Sequence, residues 1–161
     1  MKARLYLETS VVSYLSARRS RDPISAAHQQ ITVEWWRRRH LDFDIFTSEV
    51  VVAEARLGDP VAARLRLDTL HGIPLLEVTE PARSLAEAII QSTVLPREAF
   101  PDALHIAIAT THELDYLLTW NCAHIANAEI LPRIALLCDD LGFALPYICT
   151  PEELIGDTYA H

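Results

Sequence analysis

The sequence predicts an α/β protein in which helices cover a parallel-rich central sheet. Short apolar runs alternate with helical patterns along the whole chain. Half of the 161 residues are apolar, which is enough interior for a sheet covered on both faces. The stretch from Ala99 to Asn127 passes from a buried helix to a short apolar strand within a few residues, as strand-helix units do. No linker, repeat or low-complexity tract divides the chain, so one domain over residues 1–161 is expected.

Taken in order, Arg4 to Leu7 is a strand, followed by Glu8, Thr9 and Ser10 and the apolar stretch Val11 to Leu15. Ser16 to Pro23 reads as a loop, and Ile24, Ala27, Ile31 and Trp35 recur at helical spacing to about His40. Phe43 to Phe46 is a second strand, and Thr47 or Ser48 can cap a helix carrying Glu54. Ile73 to Val78 is a third strand, with Thr79 capping a helix through about Thr93. Pro101 suits the first turn of the apolar helix that holds Asp102 and His105. Tyr116 to Thr119 then forms a buried strand that delivers Trp120 and Asn121 at its carboxyl end. Ile130 to Leu141 is helical and Phe143 to Cys149 a last strand. Thr150, Pro151, Glu152 and Glu153 form a capping box that opens a short terminal helix.

Composition narrows the function classes. No stretch reaches the roughly 18 apolar residues of a membrane span, and the N-terminus lacks a signal-peptide pattern, so a soluble cytoplasmic protein is expected. Cys122, Cys138 and Cys149 never stand in a CxxC spacing, which argues against a disulfide framework or a structural zinc site. The net charge of −8 disfavours a simple basic nucleic-acid binder, yet residues 1–39 carry +5 and the remainder −13. Such asymmetry suits a polyanion-binding rim beside an acidic pocket, although a solvated helix end explains Arg37 to Arg39 equally well.

Three acids draw attention by position. Glu8 lies just past a strand, and Asp102 opens a helix whose following strand ends at Asn121. Glu54 points along a largely apolar helix face, where a lone carboxylate is costly without a partner. A first-turn acid favoured by the helix dipole is the plain alternative for Asp102, and a salt bridge is the alternative for Glu54. Open α/β sheets place their chemistry at the carboxyl edge, so convergence there would make an acidic pocket suited to Mg2+ or Mn2+.

The runs LYLETSVVSYL, TSEVVVAEARLG, PDALHIAIA and LLTWN, in that order and joined by the terminal YICTPEEL, resemble the PIN domain and most closely the VapC-type toxins of toxin–antitoxin modules. The resemblance implies a three-layer α/β/α sandwich with a central parallel sheet. It also implies a Mg2+- or Mn2+-dependent endoribonuclease, the toxin partner of a cognate antitoxin and a homodimer. By that resemblance Glu8, Glu54 and Asp102 are the catalytic and metal-holding acids. Ser10 and Asn121 position substrate or water, and Asn121 and His124 are further candidate ligands. The chain departs from the family pattern in having Glu rather than Asp at position 8. It also has Asn121 and His124 where many members carry a fourth acid.

Other chemistry is poorly supported. His105 and His112 lack a third close zinc ligand, so a hydrogen-bonded core histidine is the better reading of His105. No GxSxG elbow, P-loop or dinucleotide fingerprint occurs. A phosphotransfer domain of the receiver or haloacid-phosphatase kind needs a well-placed lysine, and the chain's lysine is Lys2. A PIN-like domain that binds RNA or protein without cutting is the remaining alternative. Trp35 and Trp36 stand about 100° apart on one helix, so at least one indole should approach the surface, where a dimer or antitoxin contact is expected.

Overall fold

The computed structural model describes residues 1–156; the last five of the expected 1–161 unit lie outside the described residues. Five strands pair in the order β3-β2-β1-β4-β5, all parallel: β1 (Ala3–Leu7), β2 (Phe43–Ser48), β3 (Leu75–Leu76), β4 (Tyr116–Leu118) and β5 (Tyr147–Cys149). The helices are α1 (Thr9–Ser16), α2 (Pro23–Arg39), α3 (Glu49–Ala55), α4 (Pro60–Leu70), α5 (Glu80–Gln91), α6 (Phe100–Thr111) and α7 (Leu131–Asp140).

The strand order fixes the layers. The chain runs from β1 through β2 to β3 in one direction, then jumps back over β1 to β4 and continues outward to β5. Right-handed crossovers therefore put α1 to α4 on one face and α5 to α7 on the other. Packing agrees, since α1 rests on α2 and α4 while α5 rests on α6 and α7. This is a three-layer α/β/α sandwich around a parallel sheet, as the sequence predicts.

The central strands are apolar because both of their faces are covered. Leu5, Tyr6 and Leu7 on β1, Leu117 and Leu118 on β4, and Ile106 to Ala109 on α6 are all fully buried. Register pairs Leu7 with Leu118, so the residues that follow, Glu8 and Thr119, emerge side by side at the carboxyl edge. The order reverses between β1 and β4, and a crevice opens at such a switch point because the flanking helices leave on opposite faces.

Several expectations shift on folding. Helix α4 falls in a segment without a clear apolar period, although Asp59 caps it and Pro60 stands in its first turn. The expected strand Ile73 to Val78 pairs only at Leu75 and Leu76, since it lies at the sheet edge with Pro74 at its start. The last strand is confined to Tyr147–Cys149. The capping box forms, with Thr150 and Glu153 bonding reciprocally, but it closes a single turn rather than a helix among the described residues. Trp35 is fully buried, and Trp36 is half-buried and stacked on His40 at 4.8 Å. The chain itself thus covers much of the second indole.

All three cysteines are free, with Cys122 exposed. Burial pushes the Cys138 thiol up to about 11 and, with Glu153 nearby, the Cys149 thiol up to about 12. A thiol reagent near neutral pH is therefore expected to modify Cys122 alone in the native protein and all three residues after unfolding, as peptide mapping would read.

Candidate functional site

Glu8 is the N-cap of α1 and only 4% exposed. Its Oε2 accepts from the backbone N–H of Ser10 at 2.9 Å, from the Ser10 hydroxyl and from the Thr119 hydroxyl at 2.8 Å. Those hydroxyls in turn accept the backbone N–H groups of Trp120 and Asn121, at 2.8 and 2.9 Å. One buried carboxylate thus organises both the start of α1 and the exit of β4. Oε1 carries no hydrogen bond among the described residues.

Glu54 reaches the same edge from α3. Its Oε1 accepts from Thr9, the residue after Glu8, at 3.0 Å and from His105 Nε2 at 2.5 Å. His105 is fully buried one turn along α6 from Asp102. Burial alone would raise the Glu54 pKa, but the bond and charge of His105 and the Thr9 hydroxyl hold it below its ordinary value. Burial lowers the His105 pKa, while the Glu54 bond and the charges of Glu8, Glu54 and Asp102 carry it above its ordinary value. All three acids therefore bear on one imidazole.

Asp102, in the first turn of α6, takes Asn121 Nδ2 on Oδ1 at 3.1 Å and His124 Nδ1 on Oδ2 at 3.0 Å. Asn121 Oδ1 receives the backbone N–H of His124 at 3.0 Å, so the loop after β4 is built around Asp102. The His124 side chain is 40% exposed, which leaves Nε2 toward solvent. Next to them the Trp120 indole stacks on His28 at 4.0 Å with Tyr14 at its edge, and its Nε1 donates to Thr32.

The residues singled out by sequence thus gather at one edge: Glu8 with Ser10, Glu54 through Thr9 and His105, and Asp102 with Asn121 and His124. As the side chains stand, each acid is tied to protein donors, and no three of the described Asp, Glu, His and Cys residues form a closed group for a metal ion. The donor chemistry nevertheless fits a hard cation, because the gathered acids supply oxygens and one Glu8 oxygen has no protein bond. Thr9, Thr119 and Tyr6 were not singled out by sequence, and Ser48 only as a helix cap. The signal for Thr9, Thr119 and Ser48 was a hydroxyl directly beside an acid or at the end of an apolar strand, and Tyr6 carried none.

No family model and no curated protein matches the sequence. Solved structures do. FitAcB from Neisseria gonorrhoeae superposes with a TM-score of 0.57 at 18% identity, covering 91% of this chain and 97% of that one. VapC20 from Mycobacterium tuberculosis, a sarcin-ricin loop cleaving toxin, gives 0.55 at 17% identity, covering 74% and 92%. The fold is PIN-like. Identity this low makes the shared property the fold, and the chemistry of this PIN-like chain rests on its own residues.

The coupled pair sets a pH dependence for the chelator-treated protein. Glu54's depressed pKa contributes stability that is complete above its unfolded value, near 4.5, and lost as pH falls through the folded pKa. His105's raised pKa contributes stability that is complete below its unfolded value, near 6.5, and lost as pH rises through the folded pKa. Melting temperatures from about pH 3 to 9 should fall on both flanks, and Glu54→Gln should flatten both. Flanks that persist in the variant would assign them to other groups.

Proposed function

We propose that this chain is a metal-dependent endoribonuclease, the toxin of a toxin–antitoxin pair, which hydrolyses RNA phosphodiester bonds at Glu8, Glu54 and Asp102. The observation that supports this most is the hydrogen-bonded cluster at the switch point of the sheet, where Ser10 and Thr119 hold Glu8, Thr9 and His105 hold Glu54, and Asn121 and His124 hold Asp102. Together they would hold Mg2+ or Mn2+, with Asn121 and His124 as additional candidate ligands. Such an ion polarises the phosphodiester and lowers the pKa of bound water.

The remaining residues hold the site. Ser10 and Thr119 fix Glu8, and Asn121 steers Asp102. His124 donates from Nδ1 to Asp102, so its outward Nε2 is available to take a proton from water or return one to a leaving oxygen. The chain is proposed to act as one domain in the cytoplasm, as a homodimer, under control of an antitoxin that covers the pocket. No helix among the described residues is long and apolar enough to cross a membrane.

A direct test incubates the purified chain with RNA that includes a sarcin-ricin loop, the target of VapC20, in Mn2+ and in chelator. Mn2+-dependent cleavage that disappears in a Glu54→Gln, Asp102→Asn double variant is expected. One observation favours the alternative of a PIN-like domain that binds RNA or protein without cutting: both Asp102 oxygens are already engaged by its own loop. A folded wild type that binds RNA but leaves it intact in Mn2+ would establish that alternative.

A further inference from the structure

Beneath the three acids runs a line of buried polar groups that a close-packed core has no need of. His105 Nδ1 lies 2.6 Å from the Tyr6 hydroxyl, and that hydroxyl lies 2.7 Å from Ser48 Oγ. Tyr6, Ser48 and His105 are all fully buried. Ser48 Oγ also accepts the backbone N–H of Val51 at 3.3 Å, as the cap of α3. The line therefore joins β1, the end of β2, α3 and α6, and terminates on Glu54 Oε1.

Hydrogen-bond accounting orders its protons. A carboxylate only accepts, so His105 Nε2 must carry the hydrogen that faces Glu54. Above the raised His105 pKa, where the ring is neutral, Nδ1 is then an acceptor and takes the Tyr6 hydroxyl proton. The Tyr6 oxygen takes the Ser48 proton, and Ser48 takes the Val51 N–H. Every proton finds an acceptor. The opposite tautomer would set the Nε2 lone pair against the carboxylate and strand a donor-donor clash at Tyr6 unless two hydroxyls turned away, at the usual cost of unpaired buried groups. In the imidazolium Nδ1 donates to the Tyr6 oxygen instead, and the Tyr6 proton turns to Ser48.

We propose that Tyr6 and His105 are positioning residues that, with Ser48, form a buried relay fixing Glu54 Oε1 and presenting Oε2 to the cation. This rests on the metal-site reading above. Glu54 stands on a seven-residue helix, and apart from the relay its side chain is held only by Thr9 among the described residues. Oε2 has no hydrogen bond among the described residues, so the relay fastens one oxygen and leaves the other available. Metal-binding side chains depend on such outer partners for orientation, and losing one typically costs about 10–100-fold in affinity or activity.

Two measurements on the full chain test it. Imidazole 15N shifts at alkaline pH should show His105 protonated on Nε2, a readout independent of metal. Mn2+ titration without RNA, by calorimetry, should show affinity falling about tenfold or more in Tyr6→Phe and His105→Leu. His105→Gln, whose amide N–H can approach Glu54, should recover most of it. Circular dichroism checks that each variant folds, and loss of packing alone would lower melting temperature without separating Gln from Leu in Mn2+ affinity. A His105 protonated on Nδ1 overturns the relay. So does a wild type that binds Mn2+ while Tyr6→Phe and His105→Leu bind it equally well. A wild type that binds no Mn2+ overturns the metal-site reading, and this inference with it.

Discussion

Asp102→Asn is expected to reduce Mn2+-dependent RNA cleavage by more than about a hundredfold, since losing even an outer partner of a metal site costs up to that much. The change removes one charge from a site that already has Asn121 where a fourth acid could stand. The fold should not suffer. An amide at position 102 can still accept from Asn121 through Oδ1, and it can donate to His124 Nδ1. Removing one of three gathered carboxylates also relieves like-charge repulsion, so the melting temperature should stay level or rise. The informative result is the pair of readings together, with activity lost and stability kept. Cleavage at the wild-type level in this variant would place the chemistry elsewhere or expose a contaminating nuclease.

Glu8→Ala should cost both activity and stability. The carboxylate caps α1 and receives three donors on one oxygen. Truncation removes the cap, worth about 1 kcal/mol, and leaves buried donors at Ser10 and Thr119 to find new acceptors at about 1–3 kcal/mol each if they fail. A net loss of roughly 3 kcal/mol is expected after some relief of acid repulsion, which lowers the melting temperature by about 6–12 °C in a chain of this size. Glu8→Gln separates the two roles, because its amide oxygen can still cap while its charge is gone. It should fold nearly normally and cleave poorly. Glu8→Asp keeps charge and cap alike and should be mild in both respects. Thermal melts and cleavage rates on the three variants decide this, and a Glu8→Ala protein as stable as wild type would remove Glu8 from its organising place.

The parallel sandwich was legible because its signals are local. Apolar runs such as Tyr116 to Leu118 suit short strands of a covered sheet, and Ser48, Thr79 and Pro101 mark helix starts through the orphan N–H groups that they satisfy or spare. Helix α4 escaped notice because the burial of Ala63 and Leu70 comes from contacts with other helices rather than from an apolar stripe of its own. The terminal pattern from Thr150 to Glu153 encodes a bonding arrangement but not a helix length, since propagation of a helix needs tertiary support that a cap cannot supply.

The same division holds at the site. Sequence by itself determined which acids stand beside strand ends and helix starts, namely Glu8, Glu54 and Asp102, that Glu54 lies along an apolar helix face where a lone charge is expensive, and that His105 would be a hydrogen-bonded core histidine rather than half of a zinc pair. Which atoms meet was decided only by the tertiary structure. The strand order β3-β2-β1-β4-β5 brings residue 8 beside residue 119, and the crossing of α3 and α6 sets His105 against Glu54. Tyr6 looks like an ordinary strand residue in the sequence and Ser48 like a helix cap, and the bonds of Tyr6 to His105 and to Ser48 span 99 and 42 positions. A hydrogen bond is satisfied within about 3 Å in space whatever the separation along the chain, so no local pattern could have announced the partner.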